Sequence, residues 1–272
     1  MIRSGRPRIR HVRTLHTHER RAVDLLLSRL LEADRPVRRV LLFGSKARGD
    51  FHRDSDVDIL LLCDVDPRER DRVAAAAARV AARVTAETGV VIEPWTVPTA
   101  DLEAGSRTPM LVDALDDGIP LWPPGAPALR LAFTPADARF CADCLLGWAA
   151  EGGPIVRRAL EQRRWDDAAQ RARDDITRLA TAALLLDGDT RHRRVGSLRR
   201  FEARLVRRRT VSPAVLPAIA WAAAAYPAHG GRGVRPPPPT PQAIASAPVG
   251  HALAGTMERT VVPYILHRLA EG

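Results

Sequence analysis

Lysine is all but missing from this chain. Of its 42 basic residues one is lysine, Lys46, and the rest are arginine. With alanine abundant, that pattern follows from a GC-rich coding bias. The formal charge of +10 is therefore weak grounds for a nucleic-acid partner. Cysteine is scarce too, with three residues. Cys63 ends an apolar run and reads as a small buried residue. Cys141 and Cys144 form a lone C-x-x-C with no second pair, which excludes an ordinary zinc site. No β-α-β pattern surrounds them, which excludes a thioredoxin-like redox motif. No apolar run is long enough to span a membrane, and the basic N-terminus lacks an apolar signal core. A cytoplasmic protein is expected. No internal repeat is evident.

Charge is present but unevenly spread. Residues 1–21 hold seven arginines and one acid, Glu19. Residues 22–128 hold 13 basic and 18 acidic residues, and residues 129–272 hold 22 and 13. Strand and helix signals alternate in the acidic part, and helical signals fill the basic part. Pro123-Pro124-Gly125-Ala126-Pro127 is a linker by composition. The expected architecture is α+β: a flexible basic arm over 1–16, a small mixed-sheet domain over 17–128 and an all-α bundle over 129–272.

Helices are expected over 17–33, with Ala22, Leu25, Leu26, Arg29 and Leu30 on one face, and from Pro67 to Glu87, stopped by Gly89. Strands are expected over 37–43, 57–62 and 90–97, and a helix over 108–117. In the bundle, Thr134-Pro135 opens a helix to Ala150. Further helices are expected over 154–163, 166–186, 197–208 and 213–225. Another region starts at Thr240-Pro241 and is disturbed by Pro248 and Pro263. Pro236–Pro239 reads as an exposed polyproline II loop.

The chemistry is concentrated in Phe43-Gly44-Ser45-Lys46-Ala47-Arg48-Gly49-Asp50 and Ser55-Asp56-Val57-Asp58-Ile59-Leu60, with ten residues between Ser45 and Asp56. Gly44 lets backbone approach a triphosphate closely. Ser45 adds a hydroxyl and a backbone N–H where a helix starts. Asp56 and Asp58 are two apart on a strand, so both carboxylates leave one face. Such a pair repels itself unless a cation sits between, and Mg²⁺ held by oxygens and substrate phosphates suits it. The alternative, a tight turn before two solvated aspartates, fits poorly with acids that interrupt a buried strand. Arg48 can pair with a phosphate or with a nearby carboxylate. Lys46 and Arg53 are either phosphate contacts or solvated loop charges.

This pattern resembles the nucleotidyltransferases of the DNA polymerase β-like superfamily, and within it the minimal nucleotidyltransferases, over about residues 22–128. Gly118-Ile119-Pro120-Leu121-Trp122 also resembles the end of that domain. The resemblance implies an NTP substrate (ATP foremost) with Gly44, Ser45 and Arg48 at the nucleotide. It further implies a two-Mg²⁺ site on Asp56, Asp58 and a third carboxylate. Glu93, in Val90-Val91-Ile92-Glu93-Pro94-Trp95, fits that third place as metal ligand or general base. The alternative is an exposed acid, and Pro94 marks an edge or an early strand end.

The implied activity is transfer of a nucleoside monophosphate to a hydroxyl. A basic bundle is a poor surface for a cationic antibiotic, so protein or RNA is the favoured acceptor. The bundle's place behind such a domain resembles a HEPN-type partner. No histidine there follows an arginine at the spacing of HEPN ribonucleases, which argues against RNA cleavage. Arg191–Arg209 holds nine arginines and one acid, Glu202. It is either a phosphate-binding face or a solvated one. The alternative function is a non-catalytic nucleotidyltransferase-like binding or antitoxin module, or an RNA-binding protein. Asp174, Asp175 and Glu202 are candidates for a further acid from the bundle. The only tyrosines, Tyr226 and Tyr264, read as structural, with self-modification as the alternative.

Overall fold

The computed structural model describes residues 12–32, 36–49, 51, 55–189, 196–225 and 239–271. Arg53, most of the basic arm, Arg191–Arg194, Tyr226 and most of the polyproline segment lie outside the described residues. The described chain forms two compact units. The fold is α+β, with a mixed sheet in the first unit and helices alone in the second.

In the first unit, helix α1 (Thr17–Glu32) buries Glu19, Ala22, Val23, Leu26, Leu27 and Leu30, one stripe at helical spacing. The stripe is rotated from the expected one. Arg29 faces outward to a bidentate pair with Glu87, and Val23 and Leu27 take the core side. Val12 and Leu15 are also buried, so the packed chain begins before α1.

Strands β1 (Val37–Leu42), β2 (Val57–Cys63), β3 (Ile92–Pro98) and β4 (Ile119–Trp122) make one sheet in the order β3-β2-β1-β4. β1 is antiparallel to β2 and β4, and β2 is parallel to β3. The crossover between the parallel pair is helix α3 (Arg70–Thr88), ended by Gly89 in the left-handed region at φ 73°. Pro94 marks an edge and not an early end: β3 is the edge strand and runs on to Pro98. Val57 N–H donates to Val91 O. Odd-numbered residues of β3 therefore turn their backbone toward β2, and Pro94 and Pro98 put their missing donors on the free edge. That blunts the edge against strand addition.

The two sheet faces differ. One, with Val40, Leu42, Val57, Ile59 and Leu61, is covered by α1 and α3. The other carries Leu41, Leu60, Leu62 and Val97 under helix α4 (Pro109–Asp117), through Leu111, Ala114 and Leu115.

In the second unit, helix α7 (Trp165–Leu186) is the central rod, buried along most of its length. Helices α5 (Pro135–Ala150), α6 (Gly152–Glu161) and α11 (Ala247–Ala270) pack around it. α5 opens with a full capping box of Thr134 and Asp137. Asp137, fully buried, also accepts from Gly105 N–H and pairs with Arg107 at 2.9 Å. Burial alone would raise its pKa, but the bonds from Thr134 and Gly105 and the Arg107 charge hold it below the usual carboxylate range. The 197–208 segment is a short helix, α8 (Ser197–Phe201), followed by a π-helical turn over Glu202–Val206, and the short helices α9 (Leu216–Ala224) and α10 (Pro241–Ala245) precede α11. Pro248 sits in the first turn of α11, where its missing N–H costs nothing. Pro263 does not break α11, because it lies on the exposed face where water can take the freed carbonyl.

Candidate active site

The turn from β1 into helix α2 (Gly44–Arg48) begins the site. Phe43 N–H donates to Asp58 O at 3.1 Å, tying the turn to β2. Phe43 has no side-chain acceptor, so the first N–H groups of α2 carry no side-chain cap. Gly44 has φ +70°, a left-handed conformation that favours glycine. A Cβ there would stand 2.1 Å from Asp58 Oδ2. The residue thus makes room for the Asp58 carboxylate as well as for any phosphate. Gly44→Ala is expected to displace Asp58, to cost about 1–3 kcal/mol from backbone strain alone, and to abolish Mg²⁺-dependent nucleotide binding. Denaturant unfolding and calorimetric titration would check both effects.

Asp58 lies in β2 and Glu93 is its register partner in β3, so the parallel pairing sets the two side by side. Asp56 sits two residues before Asp58. One carboxylate oxygen from each of the three lies within 4.8 Å of the others. Asp56 and Asp58 are half-buried and Glu93 is exposed. Burial, then the charges of Asp56 and Glu93, push Asp58 up to about 7, with Arg48 pulling the other way. Three converging carboxylate oxygens fit a hard divalent cation.

Arg48 takes the carboxylate option that its position allows. Its Nη1 meets Asp117 Oδ2 at 2.5 Å, which joins α2 to the end of α4. Lys46 is neither a phosphate contact nor a solvated charge. Only 1% exposed, it turns inward to Glu19 of α1 at 2.6 Å, with its Nζ 3.9 Å from the Phe51 ring centre. Ser45 is half-buried in the first turn of α2, and its carbonyl accepts the N–H of Gly49.

Sequence reasoning missed Glu19 and Asp117 as partners of this turn. Glu19 had a signal, being the one acid among seven arginines in residues 1–21 and in register with the α1 core stripe. Asp117 had none, because nothing local links it to Arg48.

In the second unit the candidate acids are occupied. Asp175 is buried between Arg178 at 2.9 Å and Arg171 at 3.5 Å, and its pKa is pushed up to about 7 by burial against these charges. Glu202 pairs with Arg207, and Asp174 lies 3.7 Å from Arg173. Of the arginines proposed as a phosphate-binding face, Arg200 pairs with Asp189 at 2.9 Å and Arg204 with Asp187 at 2.8 Å. With Arg207 also paired, much of that face is neutralised within the chain.

Residues 23–104 match the family described as Nucleotidyltransferase domain. This part of the chain is a nucleotidyltransferase domain. The matched stretch holds β1, the Gly44-Ser45 turn, β2, α3 and β3 with the whole carboxylate triad. A protein of Methanocaldococcus jannaschii whose name reads "Putative protein adenylyltransferase" is 53% identical over 30 residues. That stretch is 11% of this chain and 30% of the relative's length. No solved structure matched the chain. Among the described residues no helix is long and apolar enough to cross a membrane.

Proposed function

We propose that the chain transfers a nucleoside monophosphate, AMP from ATP, to a hydroxyl of an acceptor protein. The observation that carries this reading is the triad itself. Asp56, just before β2, converges with Asp58 and Glu93, register partners on β2 and β3, beside the Gly44-Ser45 turn and within a nucleotidyltransferase domain. In the reaction the acceptor oxygen bonds to the α-phosphorus and the bond to the β-phosphate oxygen breaks. Pyrophosphate leaves, and the hydroxyl proton passes to a base. Glu93, the exposed member of the triad, takes that proton or shares the cation. Bound Mg²⁺ would supply charge neutralisation on the phosphates. Asp56 and Asp58 would hold it, and Gly44 and Ser45 would present backbone N–H groups to the β- and γ-phosphates. Arg48, committed to Asp117, keeps that turn in place and adds positive charge near Asp58. Such chemistry depends mainly on positioning and charge neutralisation, both of which this arrangement provides.

Protein is favoured over RNA as acceptor for two reasons. The matched relative's name reads as a protein adenylyltransferase, and Arg200, Arg204 and Arg207 are spent on internal ion pairs. The test is incubation with Mg²⁺ and ATP labelled at the α-phosphate, with and without cell extract. Protease-sensitive, nuclease-resistant label is the expected result. Nuclease-sensitive label would move the acceptor to RNA. No label from any of the four NTPs, with no Mg²⁺-dependent nucleotide binding, would overturn the transferase reading in favour of a binding module.

A further inference from the structure

Aromatic residues make up 4% of the chain, yet two of them stand together beside the triad. Trp95 follows Glu93 by two residues on β3, so both side chains leave the same sheet face, about 6.6 Å apart along the strand. Its register partner is Leu60, which follows Asp58 by two on the same face. Phe43 immediately precedes Gly44, and its ring centre lies 6.1 Å from that of Trp95. The rings meet at 48°, tilted and not stacked, so neither covers the other's face.

The surroundings divide this sheet face into two zones. Beyond the aromatics, Leu41, Leu60, Leu62 and Val97 are fully covered by α4. Before them lie the three carboxylates. Phe43 and Trp95 stand at the boundary, packed against the apolar cluster and only partly buried. Large, partly exposed rings at a core edge, one two residues along β3 from Glu93 and the other next to Gly44, make a platform that is apolar where the rest of the site is charged.

We propose that Trp95, with Phe43 beside it, is the platform for the base of the nucleoside triphosphate. This inference rests on the proposed function. If the α-phosphate is held at the triad, with its β- and γ-phosphates at Gly44 and Ser45, the ribose and base extend from that same phosphorus. The aromatic rim is the apolar surface adjoining both anchor points. Stacking on a ring tolerates any base and favours the larger purines. Affinity should therefore fall from purine to pyrimidine triphosphates.

The test compares two probes by isothermal titration calorimetry: Mg²⁺-ATP, and Mg²⁺-tripolyphosphate, which has the phosphates without the base. Trp95→Leu keeps an apolar side chain on the core and removes the ring. It is expected to weaken ATP about tenfold or more and to leave tripolyphosphate within about twofold. Trp95→Phe keeps a ring and should restore most of the ATP affinity; should Trp95→Leu fold poorly, Mg²⁺-ATP against Mg²⁺-UTP on the wild type decides, and equal affinities overturn the inference. Parallel weakening of both probes by Trp95→Leu would make Trp95 a structural residue only and overturn the inference. So would unchanged ATP binding. A wild-type protein that binds neither probe would instead overturn the transferase reading on which this one rests, and Trp95 would not be the cause.

Discussion

Asp58→Asn should abolish transfer of α-phosphate label, by at least about a thousandfold, while raising the stability of the metal-free protein. Both effects come from one fact. Asp58 is a half-buried carboxylate whose nearest charged neighbours include two other carboxylates. With a divalent cation present, that crowding is an asset, and removing one ligand removes both cation affinity and charge neutralisation on the phosphates. Without a cation, the crowding is strain, and the neutral amide relieves it. The sign follows from linkage. Asp58 has a pKa near 3.8 when exposed and is pushed up to about 7 in the fold, so the native state holds the proton more tightly. Its contribution to stability is present below about pH 4 and is lost as pH rises through 7. Metal-free wild type should therefore lose thermal stability between pH 5 and 8 relative to Asp58→Asn. Mg²⁺ should restore it in the wild type alone, more strongly at pH 8 than at pH 6. A melting series at several pH values with and without Mg²⁺ checks this. Equal Mg²⁺ stabilisation of both proteins would place the cation elsewhere.

Why the converging carboxylates were legible in the sequence, and the supports of that face were not, has a physical basis. Asp56, Asp58 and Glu93 announce themselves because acids inside apolar, strand-like runs are costly without a purpose. The period of two fixes which face they share. Parallel pairing of β2 with β3, which sets Glu93 opposite Asp58, needs only the intervening α3 and the limited ways a crossover can close. Element ends were readable where a cap has a chemical signature, as at Gly89 and Thr134. β4 was not read as a strand, since four residues with a proline carry too little periodicity. The orientation of α1 was misjudged because an arginine was counted on its apolar face. Leu25 and Leu27 compete for the core, and only packing against α3 decides between them. Arg48 and Lys46 look alike in a polar turn. Their opposite fates depend on Asp117 and Glu19, which are 69 and 27 residues away in sequence.

Lys46 carries the second large prediction. Lys46→Met should cost about 3–5 kcal/mol of folding stability, the usual penalty for stranding one partner of a buried ion pair. The stranded partner is Glu19, buried in α1. Burial favours its neutral form, but the bonds from Lys46 and from His16 N–H, at 2.8 Å, hold its pKa below the ordinary value. With Lys46 gone, the His16 N–H bond and the His16 charge are what is left to offset desolvation. Nor can a methionine replace the ammonium above the Phe51 ring. The double variant Lys46→Met/Glu19→Gln removes both charges and keeps an acceptor for His16, so it should recover a large part of the loss. Chemical denaturation of the four proteins gives the coupling directly, and a value above about 1.5 kcal/mol is expected. The placement of this pair explains its worth to the site. Lys46 is the residue after Ser45, and Phe51 lies on the path from Gly49 to Asp56. One buried ammonium therefore fastens the turn proposed to hold the phosphates, and the chain leading to the carboxylates, onto α1. A loss of less than 1 kcal/mol in Lys46→Met would show that the turn is held by other contacts, with Arg48–Asp117 the first to test.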